Sequence, residues 1–215
     1  ISFSRMNQVL ENYIIQHSDP ESDLLKELAR EANVKLLRPR MISGHIQGRV
    51  LSMISKMIAP KRILEIGTFA GYSAICLAEG LNEEGLLYTI EIDDEMEDFA
   101  QSFISKSPLA KRINQIIGDV LEVLPTLNET FDLVFIDADK RDYRAYYDAI
   151  FEKVNKGGFI LADNTLWDGK VVETVQPNDK QTQGILHFND YVCQDERVEK
   201  IILPLRDGLT LIRKK

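Results

Sequence analysis

Apolar side chains recur at two different spacings, and the change of spacing divides the chain into a helical start and an alternating α/β remainder. Residues 3–32 repeat at helical spacing with one break at 17–20, which predicts two helices, and a third is predicted over Gly44–Ile58. From Arg62 onward, short β-branched runs alternate with helical segments. This alternation predicts a mostly parallel sheet with right-handed crossovers and helices on both faces.

Seven of these runs are predicted strands. They are residues 62–66, 86–91, 113–117, 131–137, 158–162, 198–203 and 209–213. The first five are nearly continuous apolar runs, as is typical of strands covered on both faces. Helices are predicted over residues 72–79, 94–105, 120–124, 143–154 and about 183–192. The last two strands are joined by the short, turn-rich segment 204–208, so we expect them to pair antiparallel at the end of the sheet.

Composition narrows the class of protein. The chain has 215 residues, of which 44% are hydrophobic, so we expect a single domain over 1–215. Within it, residues 1–58 are expected to form a helical segment that covers the site or forms a dimer interface. The net charge of −8 disfavours nonspecific binding to nucleic acid. The sequence contains no long uncharged apolar run, so no membrane-spanning segment is predicted.

The cysteines and the N-terminus indicate a compartment. Cys76 and Cys193 lie in amphipathic patterns rather than in a C-x-x-C pair, so we expect two buried thiols in a reducing cytoplasm. The first residues lack the features of a secretory signal. Because Ile1 is not an initiator Met, the sequence leaves open whether residues precede it.

A glycine turn follows the first predicted strand. Gly67 and Gly71 permit positive φ and close approach of a ligand to the backbone, and Glu91 ends the second strand, where ribose hydroxyls can donate to it. The spacing is not the G-x-G-x-x-G of a pyrophosphate site, and Glu65 would repel phosphate. A cationic nucleoside without phosphate, S-adenosylmethionine, therefore fits better than NAD. The alternative is a tight turn with a solvated Glu91.

Acidic and amide side chains follow strands four and five. Asp137 ends the fourth predicted strand, and Asp163 and Asn164 follow the fifth. If these strands are neighbours, the three side chains converge outside the carboxyl ends of the sheet. Such an oxygen set suits Mg²⁺, Mn²⁺ or Ca²⁺ rather than zinc, whereas the alternative for each residue is a cap or turn former.

These motifs together resemble the cation-dependent class I O-methyltransferases, which include caffeoyl-CoA O-methyltransferases, catechol O-methyltransferase and small bacterial relatives. The resemblance extends from Arg40 to Arg213 and is strongest at LEIGTFAGYS (64–73), FIDADK (135–140), GGFILADNTLW (157–167) and LPLRDGLT (203–210). It implies a Rossmann-like seven-stranded sheet in the order 3-2-1-4-5-7-6, with strand 7 antiparallel, and a homodimer. The chain departs from the family pattern in carrying Glu91 rather than Asp and Gln47-Gly48-Arg49 rather than Glu-Gly-Gln.

The resemblance also implies roles for individual residues. Positions that match the cofactor site are Met41, Ser43, Glu65, Gly67, Ser73, Glu91, Val120, Asp137 and Asp139. Asp137, Asp163 and Asn164 match the metal ligands, and Lys140 matches the proposed general base. For Lys140 the alternative is a surface lysine paired with Asp139 or Asp142.

The predicted function is cation-dependent methyl transfer from S-adenosylmethionine to a hydroxyl of a catechol-like or caffeoyl-type small molecule. Methylation of a hydroxylated nucleoside in tRNA, of the 5-hydroxyuridine type, is the second hypothesis. An NAD-dependent dehydrogenase and a noncatalytic cofactor-binding protein are further alternatives that the carboxylate cluster disfavours. Trp167 either stacks on an aromatic acceptor or anchors its loop.

Overall fold

The computed structural model describes residues 8–215, apart from the side chain of Arg40. Contacts divide these residues into two compact units, 8–119 and 120–215. The start of the first predicted helix, at Phe3, lies outside the described residues. No helix between residues 8 and 215 is long and apolar enough to cross a membrane.

The first unit begins with helices and continues with three strands. Its elements are α1 (Gln8–Gln16), α2 (Asp23–Lys35), α3 (Gly44–Ile58), β1 (Arg62–Ile66), α4 (Tyr72–Ala78), β2 (Leu86–Glu91), α5 (Glu97–Ile104) and β3 (Ile113–Ile117). The three strands pair in parallel, with β1 bonded to β2 and β2 to β3. Most residues of β1 and β2 are buried, which accounts for their nearly continuous apolar runs in the sequence, whereas Ile113 is the one buried residue of β3.

The second unit contains the remaining four strands. Its elements are α6 (Val120–Val123), β4 (Phe131–Ile136), α7 (Tyr143–Phe151), β5 (Val154–Asp163), α8 (Lys180–Gln194), β6 (Val198–Leu203) and β7 (Leu209–Lys214). Strands β4 and β5 are parallel, whereas β7 runs antiparallel to both β5 and β6. The predicted antiparallel pair at the end of the sheet is therefore confirmed.

The seven strands are ordered 3-2-1-4-5-7-6 with β7 antiparallel. This is the order that the family resemblance implied, and the predicted α/β class is confirmed. The organisation of residues 1–215 as one domain stays a prediction.

Two predicted boundaries around β5 were wrong. The helix predicted over 143–154 ends at Phe151, and β5 begins at Val154 rather than at Gly158. Val154 pairs with Phe131 before a register shift brings Phe159 opposite Leu133. The intervening Gly157 has φ +82°, so glycines that resemble a strand boundary in the sequence mark an irregularity inside the strand.

Helices α3 and α4 pack closely through small residues. A Cβ added to Gly48 would lie 2.7 Å from Tyr72 Cε1. Arg49 donates from both terminal nitrogens to the carboxylate of Glu79, at 3.0 and 2.8 Å, and Ser52 donates to the same carboxylate at 2.7 Å. The unusual Arg49 of the sequence is therefore held in an ion pair between two helices of the first unit.

Of the two thiols predicted to be buried, that of Cys76 is buried, whereas the prediction for Cys193 was wrong. Cys76 is buried in α4, and burial raises the pKa of its thiol to about 12. Cys193 is exposed, because α8 turns Ile185, Phe188 and Val192 inward and leaves the residue after Val192 on its outer face.

Candidate active site

The glycine turn of the first unit has the backbone geometry that the sequence predicted. Gly67 and Gly71 have φ of +97° and +81°, and Phe69 between them also lies in the left-handed region at +45°. The amide of Gly67 donates to the carbonyl of Ile90 at 2.9 Å, which fixes the turn to the neighbouring strand β2. The backbone is thereby presented without side chains at Gly67 and Gly71, as close approach of a ligand requires.

Glu65 is a fully buried carboxylate near the end of β1. Thr89, its partner on β2, donates to Oε2 at 2.6 Å, and Thr68 lies 2.6 Å from the Thr89 hydroxyl. The hydrogen-bonded chain of Thr68, Thr89 and Glu65 orients a negative charge beside the glycine turn. Such a charge favours a cationic ligand and opposes a phosphate.

Glu91 ends β2 with both carboxylate oxygens engaged by backbone amides. Phe69 N donates to Oε2 at 2.7 Å, and Asp93 N donates to Oε1 at 3.0 Å. These bonds tie the glycine turn to the loop after β2 and fix the carboxylate at the strand end. Each oxygen keeps a second acceptor position, so the group can still receive hydrogen bonds from a diol.

The other cofactor candidates of the first unit lie on α4 or in the segment before α3. Ser73 is buried in the first turn of α4, and Ser43 is buried immediately before α3. Met41 is 52% exposed in a short 3-10 turn before Ser43. In the second unit, Val120 is buried as the first residue of α6.

The acidic residues of the second unit follow adjacent parallel strands. Ile136 and Ala162 are register partners at the ends of β4 and β5, so Asp137 and Asp163 each come one residue later. Asp163 is buried, and its Oδ1 accepts the amide of Asn164 at 2.8 Å. Asn164 follows at φ +57°, a left-handed conformation that asparagine tolerates. The predicted neighbouring of strands four and five is confirmed.

Lys140 is buried and does not pair with Asp139 or Asp142 as the surface alternative expected. Only 6% of the residue is exposed, and its Nζ donates to Asp137 Oδ1 at 2.8 Å and to the Tyr143 hydroxyl at 2.6 Å. Its ammonium lies 4.7 Å from the centroid of the Tyr143 ring. A long, flexible cation is thus held at the carboxylate that was assigned to the metal.

Asp139 is held by residues that the sequence reading did not identify. Arg141 donates to both of its carboxylate oxygens, and Gln181 of α8 donates to Oδ1 at 3.1 Å. The bonds from Arg141 lower the pKa of Asp139, which keeps it ionised. Gln181 Oε1 also accepts the amide of Lys140 at 3.1 Å, so one side chain of α8 holds two successive residues of the loop.

Close packing of α8 against this loop depends on Gly184. A Cβ added there would lie 2.3 Å from the carbonyl oxygen of Lys140 and 2.8 Å from Cα of Arg141. Both atoms belong to the backbone, so the loop or the helix would have to move. This signal is invisible in the sequence, where a glycine inside a helix indicates only lower helix propensity.

We expect Gly184→Ala to destabilise the protein by about 1–3 kcal/mol and to lower activity, because the new methyl group overlaps the Lys140 backbone. In open space the same change would stabilise a helix by about 1 kcal/mol, so the sign of the effect is diagnostic. Denaturant unfolding measures it. His187→Ala, at an exposed position of α8, is the control and should change little. A more stable Gly184→Ala protein would contradict the packing argument.

The loop after β5 is hydrogen-bonded to the turn between β6 and β7. Thr165 N and Leu166 N donate to the carbonyls of Gly208 and Asp207, at 3.1 and 2.8 Å. A Cβ on Gly208 would lie 2.5 Å from Leu166 Cγ. These contacts hold the segment immediately before Trp167, which follows at φ +49°.

A divalent cation fits the donor set of the second unit by its chemistry. Among residues 8–215, no three His, Cys, Asp or Glu side chains form a metal-binding group. A cation here would bind two carboxylates, Asp137 and Asp163, and the amide oxygen of Asn164. All three are hard oxygen donors of the kind that Mg²⁺ or Mn²⁺ accepts together with water. The ammonium at Asp137 shows that this carboxylate already takes a positive charge.

The strand order, with β7 reversed and a glycine turn after β1, is that of the Rossmann-like methyltransferase fold. The O-methyltransferase family model matches residues 15–215. The chain therefore belongs to the O-methyltransferase family, and the resemblance and enzyme class predicted from its motifs are confirmed.

Individual relatives match nearly the whole chain. A probable caffeoyl-CoA O-methyltransferase 2 of Dictyostelium discoideum is 33% identical over 216 residues, which cover 97% of this chain and 92% of the relative. Caffeoyl-CoA O-methyltransferase 1 of Zea mays is 35% identical and covers 95% and 84%. The solved O-methyltransferase from Bacillus cereus in complex with SAH superposes with a TM-score of 0.89 at 30% identity, over 96% of this chain and 97% of that one.

Proposed function

We propose that the protein transfers a methyl group from S-adenosylmethionine to a hydroxyl of a catechol-like or caffeoyl-type small molecule, with the help of a divalent cation. The observation that carries the proposal is the oxygen donor set at the ends of β4 and β5 with the buried Lys140 beside it. Relatives named caffeoyl-CoA O-methyltransferases support the acceptor class.

The geometry of the first unit supports the proposed cofactor. The buried Glu65 suits the cationic methionine part, the bare backbone at Gly67 permits close contact, and Glu91 offers acceptor oxygens to a ribose diol. Ser43, Ser73 and Met41 of this unit match cofactor positions of the family. In the second unit, Val120, Asp137 and Asp139 match cofactor positions of the family as well. Solved structures in complex with SAH and SAM match this fold.

Asp137, Asp163 and Asn164 are proposed to hold the cation. When bound, a divalent cation supplies Lewis acidity that favours the ionised form of an acceptor hydroxyl and a template for two vicinal oxygens. The methyl group moves from the sulfonium to the acceptor oxygen, and that oxygen loses its proton. We propose Nζ of Lys140, in its neutral amine form, as the acceptor of that proton, because it is buried and lies beside the proposed cation ligand Asp137.

Orientation is the main contribution of the remaining chain. Gln181 and Gly184 of α8 hold the Asp139–Lys140 segment, and the β6–β7 turn holds the loop that carries Asn164. Holding two reactants in near-attack geometry contributes up to about 7–11 kcal/mol to barrier lowering. A rigid scaffold around the loops is therefore what this chemistry requires.

The test is a panel of acceptors with labelled S-adenosylmethionine and Mg²⁺, comprising catechols, caffeoyl conjugates and hypomodified tRNA. We expect label on the phenolic acceptors and none in chelator. Label only on tRNA would move the assignment to the nucleoside alternative. Tight binding of NAD with no response to S-adenosylmethionine would overturn the proposal.

We expect Glu91→Gln to weaken binding of SAH about tenfold or more, equivalent to about 1.4 kcal/mol, because the neutral amide is a weaker acceptor and one of its atoms now faces a backbone amide donor. Isothermal titration calorimetry measures the change. Asp93→Asn is the matched control, since Asn can still accept the amide of Glu95 as Asp93 does. Equal affinities of Glu91→Gln and wild type would remove Glu91 from the cofactor site.

We propose that the enzyme is a cytoplasmic homodimer. No residue of α1 is buried, and Val9, Leu10 and Tyr13 are 73%, 51% and 58% exposed. An apolar helix surface of this kind gains stability when a partner covers it. Light scattering at micromolar concentration should give twice the chain mass, and an active monomer would contradict the proposal.

A further inference from the structure

Tyr143, the first residue of α7, is fully buried beside the candidate metal ligands and has no assigned role. Its hydroxyl oxygen lies 2.6 Å from Lys140 Nζ, 3.0 Å from the carbonyl oxygen of Asp163 and 3.2 Å from that of Ile136. Ile136 is the last residue of β4, and Asp163 is the last residue of β5. One hydroxyl therefore contacts both strand ends and the lysine.

The directions of these hydrogen bonds follow from what each group carries. The ammonium of Lys140 only donates, so the phenol oxygen accepts there. Its single proton then points to the two carbonyls, of which that of Asp163 is nearer.

The hydroxyl also restricts a flexible side chain. Lys140 has four rotatable side-chain bonds, and the described structure gives its Nζ two hydrogen-bond partners, Asp137 and Tyr143. With the hydroxyl removed, Asp137 alone would hold the ammonium. The hydroxyl thus fixes where Nζ lies relative to the carboxylate.

We propose that Tyr143 is a positioning residue, whose hydroxyl holds Nζ of Lys140 against Asp137 and ties the ends of β4 and β5 at a fixed spacing. Its effect on turnover rests on the proposed function, because it acts through Lys140 and the donor set. Its effect on the position of Nζ does not.

Tyr147, one turn later on α7, provides a matched comparison. It is fully buried as well, and the rings of both tyrosines pack edge-on against Phe188, at 5.5 and 6.1 Å between centroids. The Tyr147 hydroxyl donates to Asp195 at 3.0 Å, a residue outside the candidate site. Tyr147→Phe therefore removes a buried, hydrogen-bonded hydroxyl without touching Lys140.

The first measurement is made without added cation or acceptor, the state in which Nζ of Lys140 pairs with Asp137. Lysine ammonium groups are observed by ¹⁵N–¹H correlation spectroscopy at low temperature, and Lys140→Met assigns the signal of Nζ. We expect a slowly exchanging Lys140 signal in wild type and Tyr147→Phe that is lost in Tyr143→Phe. No such signal in wild type, or an unchanged signal in Tyr143→Phe, would overturn the proposal.

The second measurement is turnover with Mg²⁺ and a phenolic acceptor. We expect Tyr143→Phe to lower kcat by about 10- to 100-fold, the scale of an ångström-sized misplacement, with the KM for S-adenosylmethionine unchanged. The thermal midpoints of the two Phe variants should fall equally. If kcat falls no further than in Tyr147→Phe, Tyr143 has only a structural role. If wild type methylates no acceptor, the proposed function fails, while the ammonium signal still decides the role of Tyr143.

Discussion

Replacing Lys140 by methionine is expected to lower kcat for methyl transfer by about 10²–10⁴-fold, the range usual for loss of a general base. Methionine keeps much of the side-chain length and apolar bulk but cannot accept a proton from the acceptor hydroxyl. The buried setting of Lys140, with Nζ 2.8 Å from Asp137, means that water does not readily substitute for the amine. Initial-rate kinetics at saturating acceptor measure the effect.

The control for this variant is Arg144→Met. Arg144 is a cation on α7 that bonds to Asp148 at 2.7 Å, away from the candidate ligands, so its loss removes the same charge without touching the site. Affinity for SAH should be unchanged in both variants, because the base acts on the acceptor. A Lys140→Met enzyme with near-normal kcat would show that the cation alone activates the acceptor and would remove Lys140 from the catalytic residues.

Removing the divalent cation is expected to abolish turnover, and replacing Asp163 by asparagine should lower it at least about 100-fold. Loss of a residue that merely supports a metal ligand costs about 10–100-fold, so loss of a ligand charge should cost no less. Excess chelator should stop the reaction, and added Mg²⁺ or Mn²⁺ should restore it. Titration of Mn²⁺ binding to the wild type and Asp163→Asn separates weak binding from slow chemistry.

Asp163→Asn tests the cation more directly than Asp137→Asn does, because it preserves the hydrogen bond from the Asn164 amide. The amide oxygen of the new asparagine can still accept the Asn164 amide, which Asp163 accepts at 2.8 Å. Asp137→Asn would also deprive the buried Lys140 ammonium of its carboxylate partner, and breaking such a pair destabilises proteins. Asp132→Asn, at the far end of β4, is the control for loss of one carboxylate charge. Full activity of wild type in excess chelator would defeat the proposed cation.

The sequence predicted the candidate site best where chemistry follows strand ends. Asp137 and Asp163 could be paired in advance because parallel neighbours end at the same edge of a sheet, and the register of β4 and β5 agrees. Glu91 was found in the same way, at the end of the second strand, whereas Glu65 was found as an unusual charge beside the glycine turn. Their roles toward cofactor and cation remain predictions that the binding experiments address.

Residues whose importance depends on packing were missed. Gln181 and Gly184 come from α8, about forty residues after the loop that they hold, and a glutamine or glycine in a helix carries no pattern of its own. In the sequence, Tyr143 was only the first residue of the helix predicted over 143–154. Its hydroxyl has a role only because α7 carries it to the ends of two strands.

What the sequence determined by itself is the order of elements, the parallel core and the residue types at the strand ends, because periodicity and turn chemistry are local. Only the tertiary structure decided where Lys140 lies, since a lysine three residues after Asp137 is equally compatible with an exposed side chain paired to Asp139. Its burial follows from the approach of α8, which Gly184 permits, and from the hydroxyl of Tyr143. Side-chain contacts across many residues fix such positions, and no local spacing encodes them.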